Sequence, residues 1–219
     1  MSAALAGLRV LVSAGPTYED IDPVRFIGNR SSGRMGFAIA AAAAAAGAEV
    51  MLVAGPVQLP TPAGVQRTDV RSAAQMHDAV LAALPADIYI GTAAVADFTP
   101  RSVSQQKIKK TAGSDVLRLE LVRTRDVLAD VAAHAQRPRL VLGFAAETDD
   151  VERYALGKLA AKRLDMIAAN RVGVAGSGFE SDDNALTVYW HGGQCVLGPA
   201  AKTDIARQLI DLIRDHLAA

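Results

Sequence analysis

The sequence has 219 residues, of which 51% are hydrophobic, and its 23 basic and 23 acidic residues cancel. A chain of this length can bury a sizeable core as one domain, and the charge balance excludes the broad basic field that nucleic acid or an anionic membrane would require. Any anion-binding site must therefore be local, and the single cysteine excludes an internal disulfide or a multi-cysteine zinc site.

Five short apolar runs predict strands, and four segments between them predict helices. The predicted strands cover residues 8–15, 48–55, 86–95, 139–147 and 165–172, and the predicted helices cover residues 33–47, 72–84, 124–136 and 149–164. Gly47 is a suitable C-terminal cap for the first helix, and Ser72 is a suitable N-cap for the second. Because strands and helices alternate, we predict a three-layer α/β fold in which helices cover both faces of a mostly parallel sheet, with right-handed crossovers.

The alternation breaks between residues 97 and 120 and again after residue 183. Residues 97–120 are polar and end in alternating apolar and polar residues, which predicts an inserted flap with a strand on its returning arm. Residues 184–198 predict a hairpin, and residues 200–217 predict a closing amphipathic helix. We therefore expect a single domain, residues 1–219, with an inserted flap and a C-terminal hairpin plus helix.

A corner rich in glycine and serine, FIGNRSSG over residues 26–33, leads directly into the alanine-rich first helix. It is not a P-loop, because Arg34 stands where lysine is required, and the segment after the first strand lacks the dinucleotide G-x-G-x-x-G spacing. Ser31 or Ser32 could cap the helix, Gly33 would allow a ligand to approach closely, and free N–H groups at a helix N-terminus favour an anion. Two interpretations stay open, a phosphate-binding corner and an ordinary capped helix.

Ligands of parallel α/β sheets bind past the carboxyl ends of the strands, so the residues that follow each strand are candidates. Asp97 follows the third predicted strand and could bind a divalent cation or a base edge. Phe144, near the end of the fourth, could flank a base or belong to the core. Lys158 and Lys162 lie four residues apart and hence on one face of the next helix, where they face either a ligand or solvent.

Two further cationic positions lie outside the strands. Arg25 follows the first strand in a long connection and could hold a carboxylate or phosphate with two hydrogen bonds, or could pair with Asp20 or Asp22. The flap carries the segment KIKK, which begins at Lys107. Its lysines suit a solvated surface, or one of them could close over a polyphosphate and stabilise its developing charge.

Five motifs occur together and in order along the chain: SAGPTYEDIDPVRFIGNRSSGRMGFAIA, GTAAVADF, KIKK, GFAAET and NALTVYW. In this combination the chain, from about Leu8 to Trp190, resembles phosphopantothenoylcysteine synthetase, the coenzyme A pathway ligase that forms the C-terminal half of a bifunctional protein in most bacteria. The resemblance implies a Rossmann-like homodimer that joins 4′-phosphopantothenate to L-cysteine with CTP and Mg2+. The implied reaction passes through an acyl-cytidylate and gives 4′-phosphopantothenoylcysteine, CMP and pyrophosphate. A flavin-dependent phosphopantothenoylcysteine decarboxylase is the implied fused or associated partner.

The resemblance also implies roles for individual residues. Asn29 matches the asparagine that handles the acyl-cytidylate and its conversion, and Arg25 matches the arginine four residues before it. Lys107 matches the flap lysine that is needed to make the intermediate, and Asp97 is the expected metal ligand. The expected nucleotide-binding set is Ser31, Ser32, Gly33, Ala93, Asp97, Lys107, Arg125, Asp126, Val127, Leu128, Phe144, Lys158 and Lys162.

Two alternatives to a CTP-dependent ligase stay open on the sequence. The same ligation could use ATP, because the choice of base is not legible in these residues, or the chain could be a nucleotide-binding module without catalysis. A nicotinamide-dependent oxidoreductase is disfavoured by the missing glycine fingerprint. The longest apolar run is too short to span a bilayer, and no basic segment precedes a signal-like apolar core, so we expect a cytoplasmic protein.

Overall fold

The computed structural model describes residues 4–110, 116–147, 149–171 and 183–218. Its short apolar runs form strands, and the alanine-rich and amphipathic segments between them form helices. In chain order the elements are β1 (Arg9–Ala14), β2 (Tyr18–Asp20), β3 (Phe26–Gly28), α1 (Arg34–Ala45), β4 (Glu49–Ala54), β5 (Val65–Asp69), α2 (Ala73–Ala82), β6 (Ile88–Gly91), β7 (Phe98–Pro100), β8 (Leu121–Arg123), α3 (Val127–Ala133), β9 (Leu140–Glu147), α4 (Val151–Ala161), β10 (Met166–Arg171), β11 (Asp183–Trp190), β12 (Gly193–Ala201) and α5 (Lys202–Ala218).

Eight strands form one sheet, in the order β12-β11-β10-β9-β6-β1-β4-β5. The strands from β10 to β5 pair in parallel, whereas β11 is antiparallel to both β10 and β12. After β1 the chain builds outward through β4 and β5, and it then returns to the other side of β1 for β6, β9 and β10. The strand order therefore reverses between β1 and β6, and an open parallel sheet forms its ligand crevice at such a point.

Helices cover both faces of the sheet and bury two apolar layers. On one face α1 and α5 pack against strand residues such as Val10 and Val12. On the other face α2, α3 and α4 pack against residues such as Leu11. Successive residues of β1 point to opposite faces, and both faces are buried, which explains why this strand is apolar almost throughout. These layers confirm the predicted α/β fold with its mostly parallel sheet and its C-terminal hairpin plus helix.

Local sequence signals explain several helix ends. Ser72 caps α2 and forms a capping box, as predicted. The prediction that Ser31 or Ser32 caps α1 is wrong, because the N-cap is Gly33, whose φ is 74°, and no side chain caps the helix. The chain leaves α1 through Gly47, whose φ is 91°, as predicted. Within the described ranges, no helix is both long and apolar enough to cross a membrane.

Three pairings differ from the prediction. The long connection after β1 contains an antiparallel ribbon of β2 and β3, and β5 extends the sheet beyond β4. In the flap, the returning strand is confined to β8, which pairs with β7 in a second ribbon. The sequence does not predict β5 because it is an edge strand with mostly exposed polar residues. Residues 111–115 of the flap and residue 172 of the fifth predicted strand lie outside the described residues.

Candidate active site

The crevice between β1 and β6 is built by the loops that follow these two strands. Pro16 bridges Ala94 in parallel, and the Ala94 N–H donates to the Gly15 carbonyl at 2.9 Å. Two cavities open here, one of about 530 Å³ and one of about 180 Å³, and both are lined by Ala93, Ala94 and Phe144. The two cavities are therefore adjacent, and a ligand in one would lie close to a ligand in the other.

The larger cavity brings together most of the expected nucleotide-binding residues. Its lining includes Ala93, Asp97, Arg125, Asp126, Val127, Leu128, Phe144, Lys158 and Lys162. These residues come from β9, from the start of α3, from the end of α4 and from the loop after β6. A volume of about 530 Å³ lies within the usual range for small-molecule sites. The fold thus gathers residues that the sequence separates widely, and their roles in nucleotide binding stay predictions.

Each of the two lysines in the larger cavity is already paired with a carboxylate. Lys158 Nζ lies 2.6 Å from Glu147 Oε1, and Lys162 Nζ lies 2.7 Å from Asp126 Oδ2. Both lysines lie near the C-terminal end of α4, and Lys162 is its C-cap. A polyanion that enters the cavity would therefore compete with Glu147 and Asp126 for the two ammonium groups.

Polar side chains hold the turn before α3 in place. Asp126 is the N-cap of α3 and accepts a hydrogen bond from the Ala129 N–H at 3.1 Å. Arg125 donates to Asp78 Oδ1 on α2 at 2.7 Å. Hydrogen bonds to His77 and then to Arg125 lower the pKa of the Asp78 carboxyl below its usual range. Arg125 lines the larger cavity, and in this structure its guanidinium is paired with Asp78.

Tyr89 and Ser13 form a polar part of the lining of the larger cavity, and neither is among the residues predicted from the sequence. Their hydroxyl oxygens lie 2.9 Å apart, and both residues are buried. Burial raises the pKa of Tyr89, so the phenol stays neutral at physiological pH. The available sequence signal is weak: two polar side chains interrupt the otherwise apolar ends of β1 and β6.

Asn29 connects the glycine-serine corner to the loop after β6. Its Nδ2 donates to the carbonyl oxygens of Ala94 at 2.9 Å and of Val95 at 3.3 Å. Beside it, Ser31 Oγ accepts a hydrogen bond from the Gly33 N–H at 3.3 Å. The exposed Asn29 amide therefore lies next to a loop that lines both cavities.

Two glycines allow α1 to begin directly against the strand ends. Gly33 has a φ of 74°, a conformation that other residues rarely adopt. A Cβ atom on Gly36 would lie 2.3 Å from Thr92 Oγ1 and 2.5 Å from Ala14 Cβ, so glycine is required for this close approach. The first turn of α1 consequently lies over the ends of β1 and β6, and residues 31–36 line the smaller cavity.

The smaller cavity is lined by a buried lysine that is not among the residues predicted from the sequence. Lys202 is 7% exposed and Asn184 is 8% exposed, and both line this cavity together with Asn170. Lys202 is the first residue of α5, where a cation is unfavourable beside the positive end of the helix dipole. This unfavourable placement is the sequence signal that could have revealed it. The ammonium group, the two amides and the start of α1 make the smaller cavity suitable for an anion.

Arg25 is paired with Asp22, one of the two carboxylates that the sequence offers. Its Nη2 lies 2.5 Å from Asp22 Oδ2, and its Nε donates to the same oxygen at 3.1 Å. Nη2 also donates to the main-chain carbonyl of Ile108 in the flap at 3.0 Å. The side chain is 41% exposed, so part of the guanidinium can still reach a substrate anion. The role of Arg25 in a reaction stays a prediction.

The expected flap lysine lies outside both cavities. Lys107 is exposed and, in the part of the chain that the structure describes, it is not among the lining residues of either cavity. Its neighbour Ile108 is hydrogen-bonded to Arg25 and Asp22. The structure thus keeps the flap beside the β2–β3 ribbon, and contact between Lys107 and a nucleotide stays a prediction.

Asp97, the expected metal ligand, lies exposed at the edge of the larger cavity. Over the four described ranges, no three His, Cys, Asp or Glu side chains are grouped closely enough to hold a metal ion. Magnesium in nucleotide enzymes is usually bound by one or two carboxylates and completes its shell with phosphates and water. A single exposed carboxylate is compatible with that arrangement, and Asp97 as a metal ligand stays a prediction.

Comparison with known proteins shows which protein family the chain is similar to. Residues 5–217 match the family model described as DNA/pantothenate metabolism flavoprotein C-terminal domain. The coenzyme A biosynthesis bifunctional protein CoaBC of Vibrio cholerae serotype O1 is 52% identical over 214 residues, which make up 97% of this chain and 54% of that protein. The chain therefore spans about half the length of this relative.

Two solved structures share the fold. The crystal structure of the C-terminal domain of CoaBC has a TM-score of 0.83 at 40% identity, with 99% of each chain covered. A Cab2 mutant in complex with phosphopantothenate-cysteine has a TM-score of 0.75 at 16% identity, with 96% of this chain and 87% of that chain covered, and it shows a likeness of fold alone. The resemblance to the C-terminal half of the bifunctional coenzyme A protein is confirmed. The chain belongs to the family of the DNA/pantothenate metabolism flavoprotein C-terminal domain.

Proposed function

We propose that the chain joins 4′-phosphopantothenate to L-cysteine in coenzyme A biosynthesis, with CTP as the activating nucleotide and an acyl-cytidylate as the intermediate. The observation that carries this proposal is the crevice, where a cavity of about 530 Å³ containing Lys158, Lys162 and Asp97 adjoins the Asn29 corner. The name of the Vibrio cholerae relative supports coenzyme A biosynthesis. The Cab2 neighbour was solved with phosphopantothenate-cysteine, a compound of the two substrates that the proposed reaction joins.

In the first step the carboxylate of the acid attacks the α-phosphorus of CTP. A new bond forms between the carboxylate oxygen and phosphorus, the bond to the β-phosphate breaks, and pyrophosphate leaves with the bonding electrons. Negative charge increases on the departing phosphates, and Lys158 and Lys162 lie where their ammonium groups can stabilise it. A magnesium ion bound by Asp97 and the phosphates would supply further positive charge.

In the second step the amine of cysteine attacks the acyl carbon and displaces CMP. The carbon–nitrogen bond forms, the bond from the acyl carbon to the phosphate oxygen breaks, and the amine proton is released. Asn29 suits this step because an amide holds the intermediate by hydrogen bonds without adding a charge. No side-chain nucleophile is required, since cytidylation has already given the acid a good leaving group.

The smaller cavity could bind a phosphate group of one of the two substrates. Both the acid and the nucleotide carry phosphate, and Lys202 places a cation beside the start of α1. The cavity shares Phe144 and Ala93 with the larger one. A phosphate held there would therefore lie next to the nucleotide cavity, which suits a reaction between two phosphorylated substrates.

We further propose that the chain forms a homodimer and acts with a flavin-dependent decarboxylase, fused or associated. Exposed large apolar side chains concentrate on the two ribbons and the flap, and they include Val24, Phe26, Phe98, Val103, Leu117, Leu119 and Leu121. Several large apolar side chains exposed in one region of a protein are typical of a protein interface. Sedimentation of the chain with Phe26→Ser and Phe98→Ser would test the homodimer, which should dissociate in the double variant.

The function is tested by incubating the chain with 4′-phosphopantothenate, L-cysteine, Mg2+ and either CTP or ATP over a range of concentrations. Product masses should show 4′-phosphopantothenoylcysteine, pyrophosphate and CMP, with CTP effective at lower concentration than ATP. A preference for ATP would correct the nucleotide and keep the ligation. No product with either nucleotide would contradict the proposed function.

Two variants separate the steps. Asn29→Asp should still release pyrophosphate but accumulate the acyl-cytidylate, because a carboxylate near the intermediate adds charge and removes a donor. Lys107→Gln should instead suppress the release of pyrophosphate, since the flap lysine is expected to act on the triphosphate. Normal turnover by either variant would show that its residue is misassigned.

A further inference from the structure

The flap is closed at its base by its own two strands, and farther along it is tied to the connection between β2 and β3. At its base, β7 pairs with β8, and the Thr124 N–H donates to the Asp97 carbonyl at 3.0 Å. Farther along, the Ser104 N–H donates to the Ile21 carbonyl at 3.0 Å. Ile21 and Ile108 also line one cleft with flap residues on both arms. The described part of the flap therefore lies against the connection that follows β2.

Asp22 is the centre of these contacts. Its side chain is fully buried, and Oδ1 accepts hydrogen bonds from the N–H groups of Val24 and Arg25, both at 2.9 Å. Oδ2 accepts from Arg25 Nε at 3.1 Å, from Arg25 Nη2 at 2.5 Å and from the Ile108 N–H at 3.1 Å. All of these partners are donors, so the site is built for an ionised carboxylate.

The backbone of Ile108 is held through both its N–H group and its carbonyl group. Its N–H donates to Asp22 Oδ2, and its carbonyl accepts from Arg25 Nη2 at 3.0 Å. Lys107 precedes this residue directly, and its side chain is exposed. Fixing the backbone at Ile108 restricts where the Lys107 side chain can reach, while it leaves the ammonium group unburied.

We propose that Asp22 is a positioning residue that anchors the flap, through Ile108 and Arg25, and so fixes the backbone from which Lys107 extends. The catalytic part of this statement rests on the proposed function, in which Lys107 acts on the triphosphate. An asparagine at position 22 would keep one acceptor oxygen but would turn two N–H groups toward donors. It would also leave Arg25 without its counter-charge, so the anchor requires the carboxylate itself.

The anchor is tested without substrate by trypsin, which cuts after lysine. Asp20→Asn is the matched control, since Asp20 lies in the same ribbon and its carboxylate pairs with Arg71 at 2.6 Å. In the full chain, cleavage after Lys107 should be about tenfold faster in Asp22→Asn than in wild type and unchanged in Asp20→Asn. Equal cleavage in the two variants would overturn the anchor.

A second variant keeps the test valid if Asp22→Asn does not fold. Ile108→Pro removes the N–H that donates to Asp22 and leaves the buried carboxylate with Arg25. Because trypsin does not cut a Lys–Pro bond, cleavage of this variant is followed after Lys109, the next lysine of the flap, where it should be about tenfold faster than in wild type. An unchanged rate in Ile108→Pro would equally overturn the anchor.

Activity then tests the positioning role. In Asp22→Asn the kcat for pyrophosphate release should fall on the order of tenfold with little change in the KM for CTP, and Asp22→Glu should recover part of it. Faster cleavage with unaltered kcat would refute the positioning role and keep the anchor. If wild type forms no product while Asp22→Asn is still cleaved faster, the anchor stands and the proposed function fails.

Discussion

Replacement of Gly36 by alanine tests how closely α1 sits on the strand ends. The new Cβ would lie 2.3 Å from Thr92 Oγ1 and 2.5 Å from Ala14 Cβ, whereas real Cβ contacts stay beyond 3.0 Å. The helix must therefore retreat by roughly 0.7 Å, and such overpacking of a close-packed core costs about 1–3 kcal/mol. Alanine is a better helix former than glycine by about 1 kcal/mol, which offsets part of this. We expect a net loss of up to about 2 kcal/mol in the free energy of unfolding.

Gly157→Ala is the matched control, because Gly157 lies in α4 and a Cβ there would have no atom within 4 Å. This variant should gain about 0.5–1 kcal/mol from helix propensity alone. Urea unfolding at neutral pH, followed by circular dichroism, measures both variants against wild type. The two changes should have opposite signs. If Gly36→Ala were as stable as Gly157→Ala, the close approach of α1 to β1, and with it the geometry of the smaller cavity, would be refuted.

Three further predictions follow from the site. Lys162→Met should weaken CTP binding about tenfold, measured by calorimetry, because it removes a cation from the larger cavity, and unchanged affinity would exclude this lysine as a contact. Tyr89→Phe should lower the free energy of unfolding by about 1 kcal/mol through the lost hydrogen bond to Ser13, and equal stability would show that the bond contributes nothing. The Arg25 guanidinium first, and then main-chain N–H groups, hold the pKa of the Asp22 carboxyl well below its usual value. Its contribution to stability is therefore present above the unfolded pKa of about 4 and is lost as the pH falls toward the folded pKa, so wild type should lose more stability than Asp22→Asn between pH 6 and about pH 2, and equal losses would contradict this.

The parts of the fold that the sequence predicts depend on local signals. β1 is buried on both faces, so nearly every one of its residues is apolar, and the sequence run can be recognised as a strand. The N-cap at Ser72 requires only residues within one helical turn. The position of Asp97 and Phe144 beside one cavity can also be predicted, because the carboxyl ends of parallel strands meet at one edge of the sheet.

The parts that the sequence does not predict depend on contacts between distant segments. β5 is polar and half-exposed, and only its pairing with β4 makes it a strand. Asp22 accepts a hydrogen bond from the Ile108 N–H, and these two residues are separated by 86 positions in the sequence. Lys202 becomes a site residue only because the start of α5 reaches the cavity under α1. The serine cap of α1 fails for another reason, since Gly33 can adopt a positive φ and takes the cap position itself.

The most direct test of the central claim is the mass of the intermediate in a reaction that lacks cysteine. The chain is mixed with CTP, 4′-phosphopantothenate and Mg2+, stopped with acid after a few milliseconds to minutes, and examined by mass spectrometry beside a pyrophosphate assay. We predict one equivalent of 4′-phosphopantothenoyl-CMP for each pyrophosphate released, and its conversion to 4′-phosphopantothenoylcysteine and CMP when cysteine is added. Formation of an acyl phosphate together with CDP would contradict the account. Formation of 4′-phosphopantothenoylcysteine without any detectable cytidylate or pyrophosphate would contradict it as well.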